Sequence, residues 1–182
     1  MNGLKIYNNS AVNWGGGMLI DHGCNVYLNN SDIYNNSSDL GDGIYQNSHY
    51  TDHSQLYVSN SIFWNNGEEI YLDTYAELNI SYSDVMNGED GIAGSNNYLQ
   101  YQDNISLNPL FSNPESNDLT LQSTSPCIDA GDPNSDYDPD GTIADMGAYY
   151  FHQTSGCTDP DAINYNPDAT SNDGSCYHDV VT

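Results

Sequence analysis

Met18, Ile44 and Ile70 stand 26 residues apart, twice over, each inside a short apolar run bounded by Asn, Gly, Ser or Asp. A second segment recurs with them: residues 26–36, 56–66 and 78–88, with a half copy at 4–9. Within each full copy an apolar pair keeps a separation of seven: Val26 and Ile33, Leu56 and Phe63, Leu78 and Val85. A fixed internal period of this size is the mark of a repeat architecture, and it constrains the fold more than any composition does. The runs alternate with a period of two, and Asn, Gly, Ser, Val, Ile and Tyr stand where helix formers would be needed. Three short strands in every 22 to 30 residues make one coil of a three-sided parallel β-solenoid. About four such coils, stacked at the interstrand spacing of about 4.8 Å, give a prism on the order of 20 Å long.

Alternation sets the facing of each position. Met18/Ile44/Ile70, Val26/Leu56/Leu78, Leu28/Val58/Ile80 and Ile6/Ile33/Phe63/Val85 are expected inside. A slip of one residue would turn all of them outward, so the register is well specified. Leu19/Tyr45/Tyr71, Tyr27/Tyr57/Asn79 and Tyr7/Tyr34/Trp64/Met86 are expected outside. The turn after the third strand carries Asn8/Asn35/Asn65/Asn87, with Asn9/Asn36/Asn66 beside it. Asn tolerates tight-turn backbone, and identical amides on successive coils can bond along the axis.

The phrases Ile33-Tyr34-Asn35-Asn36 and Ile62-Phe63-Trp64-Asn65-Asn66 make residues 4–90 resemble the right-handed parallel β-helix proteins of the pectate-lyase-like superfamily. Asn108-Pro109-Leu110-Phe111, Leu119-Thr120-Leu121-Gln122, Ser125 to Gly131 and Asp145-Met146-Gly147-Ala148-Tyr149 resemble the segment that closes many secreted bacterial β-helix proteins. The implied organisation is all-β: coils over 1–100, an irregular closing segment with an acidic loop over 101–153, and a small loop-rich module over 154–182. The run from Gly156-Cys157 to Ser175-Cys176 resembles a short two-cysteine, Asp/Asn-rich repeat of secreted and surface bacterial proteins. The module is too short to hold a core alone. A Cys157–Cys176 bridge would close its loop, contribute about 3 kcal/mol on the chain-entropy model and imply an oxidising compartment. Cys24 and Cys127, in the first coil and the closing segment, are expected unpaired. The superfamily hosts lyases, hydrolases, adhesins and passive stalks, so its fold does not supply a function.

Charge excludes more. Against 26 acidic residues there is one basic residue, Lys5, and no arginine, for a formal charge of -25. Nucleic acids and anionic membrane surfaces are excluded as partners, since both need Lys or Arg to replace counter-ions. No apolar run is long enough to span a membrane. An aromatic fraction of 12% argues against an acidic disordered tail. The opening residues carry no signal peptide and run straight into repeat-like sequence, as if further coils preceded them. Polyuronate lyase chemistry, which the resemblance suggests first, needs a basic residue beside a bound calcium; only Lys5 is available, and the surface repels a polyuronate.

Four kinds of site remain. Asp136-Tyr137-Asp138-Pro139-Asp140-Gly141, with Asp145 following, has alternate carboxylates able to converge on Ca2+ and a glycine for the sharp turn. It lacks the distal Glu of an EF-hand, and the alternative is an acidic turn. Asp159, Asp161, Asp168 and Asp173 form a weaker acidic set in the tail. Asp21 and Asp73, on equivalent positions two coils apart, are spaced at about 10 Å, the outer limit for an inverting glycosidase pair; solvated turn residues are the simpler account. His49 and His53, four apart in a loop, are a thin zinc candidate. Tyr7, Tyr34 and Trp64 would make an exposed stripe on which a sugar ring can stack, although strand propensity and cross-coil packing account for it too.

The expectation is a non-enzymatic, secreted or cell-surface structural or adhesive scaffold, stabilised by calcium and self-associating head to tail through its open first coil. The alternative is a carbohydrate-binding or glycoside-hydrolysing β-helix acting on neutral glycans. An ice-binding solenoid would need outward Thr ladders, which the repeats lack.

Overall fold

The computed structural model describes residues 1–95 and 99–179. Residues 96–98 and 180–182, from the expected coil and tail regions, lie outside it. The chain is all-β, and its first half is a parallel β-solenoid of about three turns. Strands follow one another in threes: β1 Lys5–Tyr7; β2 Met18–Ile20, β3 Asn25–Asn29 and β4 Asp32–Tyr34; β5 Ile44–Gln46, β6 Gln55–Ser59 and β7 Ile62–Trp64; β8 Ile70–Leu72, β9 Glu77–Ser81 and β10 Asp84–Val85; β11 Ile92–Gly94 and β12 Leu99–Gln102. They form three four-stranded parallel sheets, β1-β4-β7-β10, β2-β5-β8-β11 and β3-β6-β9-β12. The register puts Met18, Ile44 and Ile70 in line, and likewise Ile6, Ile33, Phe63 and Val85. Leu28, Ile33, Ile44, Leu56, Phe63, Ile70, Ile80 and Val85 are fully buried in the cluster inside the coils. The last rung, with Ile92 aligned to Ile70 and Leu99 to Leu78, extends these columns past the residues in which the repeat is legible.

Polar columns hold the corners. Asn8, Asn35, Asn65 and Asn87 all have φ between 52° and 66°, the left-handed backbone that Asn tolerates. Their amides bond in sequence, Asn65 Nδ2 to Asn35 Oδ1 at 3.2 Å and Asn35 Nδ2 to Asn8 Oδ1 at 2.6 Å. Beside them Asn36 and Asn66 are buried, with Asn9 Nδ2 donating to Asn36 Oδ1 at 3.0 Å and Asn36 Nδ2 to Asn66 Oδ1 at 2.9 Å. Glu69 ends this column, accepting from the Asn66 N–H and its amide. At another corner the fully buried Ser31, Ser61 and Ser83 form a column of their own. Ser31 N–H donates to Ser61 Oγ and Ser61 N–H to Ser83 Oγ, both at 3.2 Å. Buried backbone donors at the turns are thus satisfied by the next coil.

The closing segment folds back over the outer face of β1-β4-β7-β10. Its hairpin pairs β13 Phe111–Asn113 with β14 Asp118–Leu121, antiparallel. Phe111, Leu119, Leu121, Cys127 and Met146 make a second core with Ile62. Gly147 permits the close approach: its φ is +107°, and a Cβ there would lie 2.8 Å from Asp32 Oδ1 and 2.9 Å from Ile62 Cδ1.

Two compact units result, one of residues 1–136 and 143–151, the other of 137–142 and 152–182. In the second, β15 Ser155–Gly156 pairs in parallel with β16 Ser171–Asn172, and Cys157 is bonded to Cys176 with a Cα–Cα distance of 4.9 Å. Its acidic and amide residues form local turns: Asp159, Asn166, Asn172 and Asp173 each accept from the N–H two residues on. Cys24 and Cys127 are free thiols, the first exposed and the second buried.

Candidate functional site

The outward column of β1, β4 and β7 carries Tyr7, Tyr34 and Trp64 in register. The stripe is not open. All three rings are half-buried against Phe111, Leu121 and the rest of the second core, because the closing segment needs an apolar face to cover and this sheet provides it. What stays accessible is a cavity of about 350 Å3 bounded by Tyr34, Trp64 and Asn65 on the sheet side and by Asn108, Phe111 and Gln122 on the other. The rings of Tyr34 and Phe111 meet edge to face, centroids 5.7 Å apart at 88°.

In the preceding outward column, Lys5–Asp32–Ile62–Asp84, the last three are buried under the same cover and Lys5 is exposed. Asp32 Oδ1 accepts the Ala148 N–H at 3.2 Å, while Oδ2 is buried without a hydrogen-bond partner among the described residues. Asp84 accepts the Leu107 N–H at 3.1 Å and the Cys127 thiol at 3.3 Å. Burial pushes both carboxyls up to about 7 and does the same to Glu69, which no charged partner offsets. Burial, with Asp84 beside it, also pushes the Cys127 thiol far above its usual range, so this is an inert sulfur. The repeat alone did not single out these three acids; Glu69 is the member of the set that ends a column of amides.

Lys5 donates from Nζ to the Tyr149 hydroxyl at 3.0 Å and sits 4.3 Å from the centre of that ring. The hydroxyl contact holds the ammonium above its usual range. Asp21 accepts from the Asn47 amide at 2.9 Å, the amide of the coil that separates it from Asp73. His53 Nδ1 lies 2.9 Å from Glu77 Oε1, and His49 Nδ1 lies 3.1 Å from Thr51 Oγ1, so the two histidines face different partners.

The acidic run is divided between the units: Asp136 and Asp145 belong to the first, Asp138 and Asp140 to the second. In the first unit Asp145 is buried, its Oδ1 accepting the Asp129 N–H at 2.7 Å and its Oδ2 the Phe151 N–H at 2.6 Å. In the second, Asp140 Oδ1 accepts the Thr142 hydroxyl at 2.8 Å and Oδ2 the Gln153 N–H at 2.6 Å. Burial raises the Asp140 carboxyl, but these donors outweigh it and hold the group below its usual range. Both carboxylates thus accept hydrogen bonds from backbone N–H groups of their own unit. Among the described residues no group of three or more His, Cys, Asp or Glu is placed to hold a metal ion.

No helix among the described residues is long and apolar enough to cross a membrane. Fold and packing define a parallel β-solenoid with one sheet covered by an irregular segment. No family model matches the chain, and neither does any curated protein or solved structure.

Proposed function

We propose that this chain is a non-enzymatic structural solenoid of a secreted or cell-surface protein, built to stack end to end. The observation that carries the reading is the set of columns: the same side chain recurs on successive coils and spends its polar groups on the coil next to it. Such a surface extends itself, because each parallel sheet terminates in a strand with one strand neighbour, β2 and β11 in one sheet and β12 in another. Contacts between unlike ends do not close on themselves and so give open stacks. The Cys157–Cys176 bond supports an oxidising compartment. Kinship with the right-handed, three-sided β-helices of the pectate-lyase-like superfamily belongs to this proposal and rests on the repeat and closing phrases.

Calcium enters as a counter-ion for a surface at -25, with residues 136–141 its expected place. Thermal unfolding in calcium, in sodium chloride of equal ionic strength and in chelator tests this. The midpoint should be highest in calcium; three equal midpoints would remove calcium from the account. Release of reducing ends from neutral glycans, abolished by Asp21→Asn or Asp73→Asn, would replace the scaffold reading with the hydrolase one.

A further inference from the structure

Most of the polar groups described above are spent within the chain; the lining of the cavity against β4 and β7 is the exception. Tyr34, Trp64 and Phe111 supply aromatic walls, and no charged side chain lines the space. Its amides are half-used. Gln122 Nε2 donates to the Phe111 carbonyl at 2.8 Å, Asn65 Nδ2 donates to Asn35, and Asn108 Oδ1 accepts the Leu110 N–H at 3.0 Å. That leaves the oxygens of Asn65 and Gln122 with no donor of the chain among the described residues, beside the NH2 of Asn108. Leu110, also in the lining, holds φ at +52°, which disfavours any bulky side chain by about 1 kcal/mol or more.

We propose that this cavity binds an organic ammonium cation of the alkylated, weakly hydrated kind that choline carries. Aromatic faces attract cations. A charge of -25 concentrates cations at the surface, and the chain's one Lys is engaged at Tyr149, where it already makes such a contact. A hard metal ion would lose its water here without gaining a carboxylate. An alkylammonium group has little water to lose. A volume of about 350 Å3 is at the small end of ligand pockets and suits a headgroup better than a chain. A neutral sugar shares the need for a ring face, and it is separated from an ammonium by its lack of charge. The proposal does not depend on the scaffold reading.

The test uses the full chain with Trp14→Phe, so that Trp64 is the sole tryptophan reporter. Its fluorescence is followed against choline chloride, against the uncharged alcohol in which carbon replaces choline's nitrogen, and against a methyl glucoside, all at constant ionic strength. Choline should give a saturable change, with the uncharged alcohol about tenfold weaker. Asn108→Asp keeps the oxygen that caps Leu110 and removes the donor. It should tighten choline several-fold and leave the alcohol unchanged, with thermal unfolding confirming an intact fold. Equal binding of the alcohol, tighter binding of the glucoside, no response to millimolar choline, or an Asn108→Asp variant indifferent to the ligand's charge would each overturn the proposal.

Discussion

Asp32, Glu69 and Asp84 are the residues whose burial has the largest consequence for behaviour in solution. Each holds its proton up to about 7 in the folded chain, whereas in the unfolded chain it releases it near 4. The folded state therefore binds more protons between those values, and stability falls as pH rises through that window, by about 1 kcal/mol per pH unit for each group. Relief of surface repulsion on acidification acts in the same direction. The thermal midpoint should be highest near pH 4 and should drop towards pH 7; Asp84→Asn should flatten part of that slope. A midpoint that rises steadily from pH 4 to 7 would contradict the burial argument. The Asn columns give a second residue-level expectation. Asn36→Ala strands the Asn9 N–H, the Ile6 carbonyl and one side of Asn66, and should destabilise by about 2–3 kcal/mol in denaturant titrations. Asn35, an exposed rung of the neighbouring column, should tolerate Gly far better, since its main task is a φ of 52°.

Among the elements, the strands were legible because period-two alternation and the recurrence of Met18/Ile44/Ile70 both point to one register, and the structure keeps it. The corner asparagines were legible for the same reason, being identical from coil to coil. The Ser31/Ser61/Ser83 column was missed, since serine at a turn reads as solvated until the neighbouring coil is in place. The placement of the closing segment was not legible either. Nothing in residues 108–149 states which sheet they cover, and only the apolar surplus of Ile62, Tyr34 and Trp64 on one outer face hinted at it. Hence a stripe expected to be open is half-buried. Leu121→Ala should cost about 3 kcal/mol and shift Trp64 emission to longer wavelength as the hairpin loosens. Unchanged emission would mean that the hairpin does not hold that face. Reduction of Cys157–Cys176 should open the tail unit, removing about 3 kcal/mol from that unit alone. The far-ultraviolet signal of the coils should remain, and loss of both together would show that the tail supports the solenoid.

At the scale of the molecule, the excess of acid has two separate uses. Some carboxylates, Asp140 and Asp145 among them, are acceptors for backbone N–H groups and substitute for the amides used elsewhere. The exposed ones make a surface that repels copies of itself, so end-to-end stacking should depend strongly on screening. Sedimentation velocity across protein concentration, at low salt and at high salt or with calcium, addresses the scaffold reading most directly. The average mass should rise with concentration, more steeply once charge is screened, with species lengthening in steps on the order of 20 Å by small-angle scattering. A single monomeric species at every concentration and salt would contradict it.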